Sequence, residues 1–143
     1  MLRKSLAVVA FAFALGGPTA PPSAFAVDAV ATEAGLPPAE AVTYENVEQL
    51  KALAAKRPTV VYFHAHWCPT CQATLTSLEA RWPEVRRGLV LLIADYDKDA
   101  DLKRAYGVTY QNTFVQVAAN GSKLKIWNGG GIETLNSRTQ FPQ

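Results

Sequence analysis

Two short apolar runs separated by an amphipathic stretch constrain the fold of this chain most strongly. Thr59–Phe63 and Leu89–Ala94 are β-branched, aliphatic and aromatic, which is typical of strands buried on both faces of a sheet. The stretch between them has apolar positions at helical spacing, at Cys71, Leu75, Leu78 and Trp82. A strand, a helix and a second buried strand make a βαβ unit with parallel strands, so the sequence predicts an α/β fold.

Further elements extend this unit at both ends. The predicted elements are a helix from a cap at Thr43 to Arg57, a short helix over Ala100–Tyr106, strands over Thr113–Ala118 and Lys123–Trp127, and a short helix over Ile132–Arg138. Asn120-Gly121 lies between the last two strands and is a strong signal for an antiparallel hairpin. The sequence therefore predicts helices on both faces of a mixed central sheet.

Composition places the chain among globular proteins with one domain. The chain has 143 residues, of which 49% are hydrophobic and 18% charged. Arg3 and Lys4 account for the whole formal net charge of +2, so the rest is neutral and lacks the basic surface typical of nucleic-acid or anionic-membrane binding. With only 2 cysteines, a packed core rather than a disulfide framework must stabilise the fold.

Residues 1–26 have the three zones of a secretory signal peptide. Arg3 and Lys4 precede an apolar run over Leu6–Leu15, and Ala24-Phe25-Ala26 forms an Ala-x-Ala cleavage site. The run is about ten residues long, whereas a membrane-spanning helix needs roughly twenty. The sequence predicts a soluble periplasmic or secreted protein that is mature from about Val27.

The exported part divides into three segments by composition. Residues 27–42 are rich in alanine, contain Pro37-Pro38 and lack aromatic residues, which predicts a flexible tether. The folded domain is predicted over residues 43–138, with a tail over residues 139–143. We expect a monomer.

The motif His64-Ala65-His66-Trp67-Cys68-Pro69-Thr70-Cys71 joins the first buried strand to the following helix. Two residues between the cysteines let their sulfurs meet across one helical turn, so a thiol pair and a disulfide are both accessible. Cys68 lies at the helix N-terminus, where free amides and the macrodipole favour the thiolate. Pro69 suits the first helical turn. We expect Cys68 to attack and the inward-facing Cys71 to resolve the mixed disulfide.

The chain from about Thr43 to Arg138 resembles the thioredoxin superfamily, specifically its exported thiol-disulfide oxidoreductases. The residues that carry this resemblance are Val60–Cys71, the acidic segment Asp95–Asp97, and Tyr106-Gly107-Val108 followed by Thr113-Phe114-Val115. The resemblance implies a thioredoxin-like three-layer sandwich and a Cys68–Cys71 disulfide that cycles with its dithiol, with no cofactor. Trp67 is expected to shield the sulfur and to line the substrate-contact surface. Pro69-Thr70 also looks like the dipeptide of some periplasmic reductants of cytochrome c maturation.

The resemblance further implies an enzyme that exchanges electrons with the thiols and disulfides of substrate proteins, and reductase is the preferred direction. In an oxidising compartment a reductase needs an electron source, so a membrane-bound electron donor is the implied second partner. Two alternatives stay open: a thiol oxidase or isomerase, and a non-catalytic thioredoxin-like protein that binds a metal or a client.

Two sites depart from the family pattern. Asn112, followed by Thr113, stands where members carry a cis-proline before the third core strand, and we expect a trans or strained peptide bond there. Tyr62 replaces a buried aspartate, and Ile93 replaces its lysine partner. Proton transfer at Cys71 is therefore expected to use water or another group.

The two histidines next to the motif suggest a second chemistry. His64 and His66 are two apart in a strand and point the same way, so with the cysteines they form an array of zinc or copper(I) ligand types. The chain has only 2 His and 2 Cys, which leaves no second ligand pair, and we predict no metal site. We expect His66 to tune the Cys68 thiolate by its charge at low pH and His64 to be a partly buried strand residue whose ring has its hydrogen bonds satisfied.

Overall fold

The structure, a computed structural model, describes residues 35–141. The predicted signal peptide, the first half of the predicted tether and the last two residues of the predicted tail lie outside this part of the chain. No helix within residues 35–141 is both long enough and apolar enough to cross a membrane.

A five-stranded mixed sheet forms the centre of the fold. Its strands are β1 (Glu40–Thr43), β2 (Thr59–His64), β3 (Val90–Asp95), β4 (Thr113–Val117) and β5 (Lys123–Asn128). Their order in the sheet is β1-β3-β2-β4-β5. Strands β1 and β2 run parallel to β3, whereas β4 is antiparallel to both β2 and β5. The parallel unit and the antiparallel hairpin are both confirmed.

Helices cover both faces of this sheet. They are α1 (Val47–Ala54), α2 (Pro69–Ala80), α3 (Ala100–Tyr106) and α4 (Ile132–Arg138), with a 3₁₀ turn over Trp82–Glu84. Helices α1 and α3 pack on the face that carries Val61 and Phe63 of β2, whereas α2 and α4 pack on the face of Val60 and Tyr62. Successive strand residues point to opposite faces, so an entirely apolar strand supplies both cores. The predicted three-layer α/β sandwich is confirmed.

Strand β1 corrects the predicted tether. The sequence predicts a flexible tether up to residue 42, but Glu40–Thr43 pair in parallel with Val90–Ile93. The Arg57 guanidinium anchors this segment, donating to the Glu40 carboxylate at 2.8 Å and to the Pro38 carbonyl oxygen at 2.7 Å. Strand β1 lies at the edge of the sheet and is exposed on most of its length. Backbone pairing with β3, rather than burial of its side chains, stabilises it, so its sequence has no clear hydrophobic pattern.

The start of α1 and the predicted tail also need correction. Asn46, not Thr43, caps α1, and its side chain accepts the Gln49 N–H at 2.8 Å. The tail predicted from residue 139 is packed as far as it is described: Thr139 is buried and Phe141 packs against the core between the sheet, α2 and α4. The cap is a local contact that the sequence pattern assigned to the wrong residue, whereas the tail is held by residues far away in the chain, such as Gln116, which hydrogen-bonds Gln140.

Candidate active site

Cys68 lies where the sheet passes into a helix. Strand β2 ends at His64, and α2 begins at Pro69 with Cys68 as its N-cap residue. The Cys68 Sγ accepts the backbone N–H of Cys71 at 3.3 Å, as an oxygen of a capping serine or threonine would. The predicted placement of Cys68 at the helix N-terminus and of Pro69 in its first turn is confirmed.

Hydrogen bonds at Cys68 favour its thiolate. The Thr70 Oγ1 lies 3.0 Å from the Cys68 Sγ. Burial of the Cys68 thiol raises its pKa, but hydrogen bonds from the side chains and backbone of Cys71 and Thr70 outweigh this effect and lower the pKa to about 7. A larger share of Cys68 is therefore ionised at neutral pH than of an ordinary cysteine.

The pKa of the Cys71 thiol is shifted in the opposite direction to that of Cys68. Cys71 is fully buried on the inward side of α2, together with Leu78. Burial raises the pKa of the Cys71 thiol, and so does its side-chain hydrogen bond to Cys68. Both cysteines are free. The site therefore pairs a readily ionised sulfur at Cys68 with a protonated thiol at Cys71, which donates to it.

Trp67, next to Cys68 in the chain, and Tyr110, far from it in the chain, are exposed aromatic residues. Trp67 is 60% exposed and donates its indole Nε1–H to the Asp97 Oδ2 at 2.9 Å. Tyr110, in the segment before β4, is 71% exposed. Trp67 therefore has the exposure that the predicted contact surface needs, while its role as a shield for the sulfur stays a prediction. Sequence reasoning did not select Tyr110, although an aromatic residue in a loop is a usable signal.

Asn112 adopts an unusual backbone conformation close to the cysteines. All peptide bonds in residues 35–141 are trans, and the φ of Asn112 is +59°, in the left-handed region. Asparagine tolerates this region better than most residues, although strain remains. The Asn112 N–H donates to the Phe63 carbonyl oxygen at 3.0 Å. The following residue, Thr113, opens β4 and donates its hydroxyl to the Tyr110 carbonyl oxygen at 2.7 Å. The expected trans bond is confirmed.

Tyr62 brings a buried hydroxyl beneath the motif. Its oxygen lies 2.8 Å from the Asn112 Oδ1 and 3.1 Å from the Cys71 carbonyl oxygen. Burial raises the Tyr62 pKa, and the charge of a Cys71 thiolate raises it further. Tyr62 is thus a permanent hydrogen-bond donor at physiological pH rather than a base. That water or another group accepts the proton of Cys71 stays a prediction.

The histidines form a separate group at the end of β2. The His64 and His66 rings meet edge to face with centroids 4.9 Å apart, and the His66 Nε2 lies 3.8 Å from the Asp95 Oδ2. His64 is buried, and its Nε2 has no hydrogen-bond partner among residues 35–141, so the prediction of a ring with satisfied hydrogen bonds is wrong. Burial and then the charge of His66 lower the His64 pKa, so this ring is neutral. The effect of His66 on Cys68 stays a prediction.

The metal-ligand types near the motif do not converge on one point. In the part of the chain that the structure describes, no group of three or more His, Cys, Asp or Glu side chains is arranged to hold a metal ion. The His66 ring lies against His64 and near Asp95, rather than joining the cysteines in one ligand set.

The family model described as Thioredoxin matches residues 40–139. This chain belongs to the thioredoxin family. Its match begins at the first residue of β1 and ends one residue after α4, so it covers the whole sheet and all four helices. Cys68 and Cys71 lie within this match and have the spacing of a Cys-x-x-Cys motif.

Individual thioredoxins are similar to this chain over different lengths. A Caenorhabditis elegans protein described as probable thioredoxin-2 is 35% identical over 80 residues, 55% of this chain and 54% of that protein. The chain thus spans about half the length of this curated relative. Fasciola hepatica thioredoxin is 27% identical with a TM-score of 0.56, covering 69% of this chain and 98% of its own. A mutant thioredoxin from Halobacterium salinarum shares the fold, with 22% identity and a TM-score of 0.59; the match covers 73% of this chain and 95% of that one.

Proposed function

We propose that this thioredoxin-family chain is an exported reductase that transfers electrons from the Cys68–Cys71 dithiol to disulfides of substrate proteins. The observation that carries the proposal is the environment of the Cys68 Sγ, which accepts the Cys71 N–H at 3.3 Å and lies 3.0 Å from the Thr70 hydroxyl. These donors stabilise a thiolate at a helix N-terminus, and the thiolate is the nucleophile in thiol-disulfide exchange.

The reaction proceeds in two exchanges. The Cys68 thiolate attacks one sulfur of a substrate disulfide, which forms a mixed disulfide and releases the other substrate sulfur as a thiolate that takes up a proton. Cys71 then loses its proton and attacks the Cys68 Sγ, which releases the second substrate sulfur. In total two electrons and two protons pass to the substrate, and Cys68 and Cys71 end as a disulfide.

The ionisation of Cys68 supports the reductive direction. Its pKa is lowered to about 7, which is near the value typical of thioredoxins, whereas strong periplasmic oxidants have an attacking cysteine with a pKa of about 3.5. A strongly stabilised thiolate stabilises the reduced form and makes a protein oxidising. Moderate stabilisation of Cys68 therefore favours electron donation.

The predicted signal peptide supports an extracytoplasmic location. A reductase outside the cytoplasm becomes oxidised after each turnover, and glutathione and thioredoxin systems do not recharge it there. A membrane-bound electron donor that reduces the Cys68–Cys71 disulfide is therefore part of this proposal. We also propose that the protein acts as a monomer.

The reduction potential of the Cys68/Cys71 pair tests the direction. The exported protein is equilibrated in glutathione or dithiothreitol buffers, and the thiols are counted by alkylation. We expect a potential near or below about −230 mV, in the range of the glutaredoxins and thioredoxin. A potential near about −120 mV would instead support the oxidase. A pair that never titrates would support the binding protein.

Single serine variants test the order of attack. With Cys71→Ser, a mixed disulfide between Cys68 and a substrate protein has no internal sulfur to resolve it, so we expect such adducts to accumulate on non-reducing gels. With Cys68→Ser, we expect none, because Cys71 has no exposed surface and a raised pKa, whereas Cys68 is 3% exposed and has a lowered pKa. Adducts on Cys68→Ser alone would contradict the assignment of Cys68 as the attacking sulfur.

A further inference from the structure

A pocket lies at the ends of the three parallel strands. Strands β1, β3 and β2 run in the same direction, so their carboxyl ends meet at one edge of the sheet. The chain leaves β2 for helix α2 on one face and leaves β3 for helix α3 on the other face. Open α/β sheets bind ligands in the crevice outside two such strand ends. His64 and Asp95 are paired at this edge and both line the pocket.

The pocket combines carboxylates with apolar walls. Its volume is about 350 Å³, and its lining includes Tyr44, His64, Ile93, Asp95, Lys98 and Asp99. This volume lies at the lower end of the range for small-molecule sites. No group of His, Cys, Asp and Glu side chains in residues 35–141 is arranged to hold a metal ion. The dimensions therefore fit an organic group rather than a bare cation.

The His64 ring at this pocket has an unpaired nitrogen. The residue is 5% exposed, and its Nε2 has no hydrogen-bond partner within the described residues. Buried polar atoms in proteins are nearly always hydrogen-bonded, so such an atom needs an explanation. Burial and the charge of His66 lower the His64 pKa, and a neutral ring with its proton on Nδ1 accepts a hydrogen bond at Nε2. A ligand that carries an N–H donor supplies the missing partner.

Two fixed carboxylates give the pocket a negative charge. The Asp95 Oδ1 accepts the backbone N–H groups of Asp97 at 2.9 Å and of Lys98 at 3.2 Å. The Asp99 Oδ2 accepts the backbone N–H of Asp95 at 2.7 Å. These hydrogen bonds hold both side chains in the turn between β3 and α3, so the two negative charges have defined positions.

The cations beside these carboxylates are mobile in comparison. The Lys98 Nζ lies 3.4 Å from the Asp95 Oδ2, and the His66 Nε2 lies 3.8 Å from the same oxygen. The Lys98 and His66 side chains are 82% and 79% exposed. Ion pairs of such exposed side chains contribute little. A cation that enters the pocket and loses part of its hydration therefore competes well with them.

We propose that this pocket binds the side chain of an arginine that a substrate protein carries near its disulfide. A guanidinium is weakly hydrated and presents a planar fork of N–H donors, which suits the two carboxylates together with the His64 Nε2. The methylene stem of an arginine packs on apolar surface such as Ile93 and Ala94, which also line the pocket. A lysine ammonium is a compact and strongly hydrated charge, which suits this mixed lining less well.

The position of the pocket connects it to the reaction, and in this respect the inference rests on the proposed function. His66 lines the pocket and stands two residues before Cys68. The neighbouring Trp67 donates to Asp97 at 2.9 Å, in the same turn that supplies Lys98 and Asp99. An arginine held in the pocket therefore anchors a substrate next to the segment that carries the attacking sulfur.

Binding of a model arginine tests the pocket without any thiol chemistry. The probe is N-acetylarginine methylamide, and its control is N-acetylcitrulline methylamide, which has nearly the same shape and no charge. NMR shifts of the Asp95 and Asp99 amides and of the His64 ring in the exported protein follow both titrations. We expect the citrulline compound to bind at least about tenfold more weakly, because hydrogen bonds to charged groups are the stronger ones. Equal affinities would overturn the inference.

Charge variants locate the binding site. Asp99→Asn keeps an oxygen for the Asp95 N–H and removes the charge, so we expect arginine binding to weaken about 5- to 10-fold. Asp101→Asn makes the same change on a side chain that is 91% exposed, and we expect a change of less than about twofold. Lys98→Met removes the competing cation and should strengthen binding about twofold. An equal loss in both aspartate variants would contradict the pocket, and if Asp99→Asn does not fold, an unchanged affinity in Lys98→Met would contradict it.

His64→Leu tests the unpaired nitrogen. We expect this variant to bind the arginine compound about 3- to 10-fold more weakly, because one hydrogen bond is lost. Its free energy of unfolding should not fall, because the nitrogen that it removes has no partner in residues 35–141. Unchanged arginine binding in His64→Leu would contradict the role of His64.

Disulfide peptides test the substrate as the source of the arginine. Each peptide carries one arginine at a position one to five residues from its cysteine, and each has a citrulline counterpart. We expect a lower KM for the arginine peptide at one or more of these positions in the wild type, and no such preference in Asp99→Asn. No preference at any position, although the arginine compound binds, would overturn substrate anchoring and point to a free guanidinium ligand. A wild type that binds the arginine compound but reduces none of the peptides would instead overturn the proposed reductase.

Discussion

At the scale of single residues, the Thr70 side chain contacts the sulfur of Cys68 directly. Its hydroxyl lies 3.0 Å from the Cys68 Sγ, and a hydroxyl that donates to a thiolate stabilises the charged form. Thr70→Val keeps the shape of the side chain and removes the donor. We expect the pKa of Cys68 to rise above its value of about 7.

The sign of the pH dependence follows from the thiolate being the nucleophile. Below a pKa of about 7, alkylation of Cys68 by iodoacetamide should slow about tenfold per pH unit, and above it the rate should level off. In Thr70→Val the midpoint should move to higher pH, so that alkylation below the wild-type midpoint becomes slower. Thr76→Val, at an exposed position of α2, is the matched control and should keep the wild-type midpoint. An unchanged midpoint in Thr70→Val would contradict the role of the hydroxyl.

At the scale of elements, helix α1 depends on a cap that a local pattern places incorrectly. The Asn46 side chain accepts the Gln49 N–H at 2.8 Å. We expect Asn46→Ala to lower the free energy of unfolding by about 1 kcal/mol, because the first turn loses its acceptor. Urea unfolding measures this change, and Thr43→Ala serves as the comparison. A larger loss from Thr43→Ala would contradict the cap at Asn46.

At the scale of the whole molecule, the short C-terminal helix closes one face of the sheet. Leu135 of α4 is almost fully buried and belongs to the same cluster as Leu78 of α2. Leu135→Ala leaves a cavity in a packed core, and we expect it to lower the free energy of unfolding by about 2 to 5 kcal/mol. Thermal unfolding followed by circular dichroism measures the loss. A change below about 0.5 kcal/mol, typical of surface positions, would show that α4 contributes little to the core.

Many features could be predicted from the sequence because they depend on neighbours in the chain. The periodicities of β2, β3 and α2 are local, and the short helices at Ala100–Tyr106 and Ile132–Arg138 have the predicted bounds. The motif also places Cys68 at a helix N-terminus, since Pro69 and the preceding buried strand identify that junction. The assignment of the two cysteines as a pair likewise needed only their spacing.

Other features arise only when distant parts of the chain meet. Strand β1 forms because β3 supplies its backbone partners, and Phe141 packs on a core that its own neighbourhood does not suggest. The link between Tyr62 and Asn112 joins residues 50 positions apart. The sequence by itself therefore determined four of the five strands, the four helices and the Cys-x-x-Cys motif, through short-range pattern and chemistry. The tertiary structure decided the edges of the domain and the support of the site, because hydrogen bonding and burial depend on what lies nearby in space.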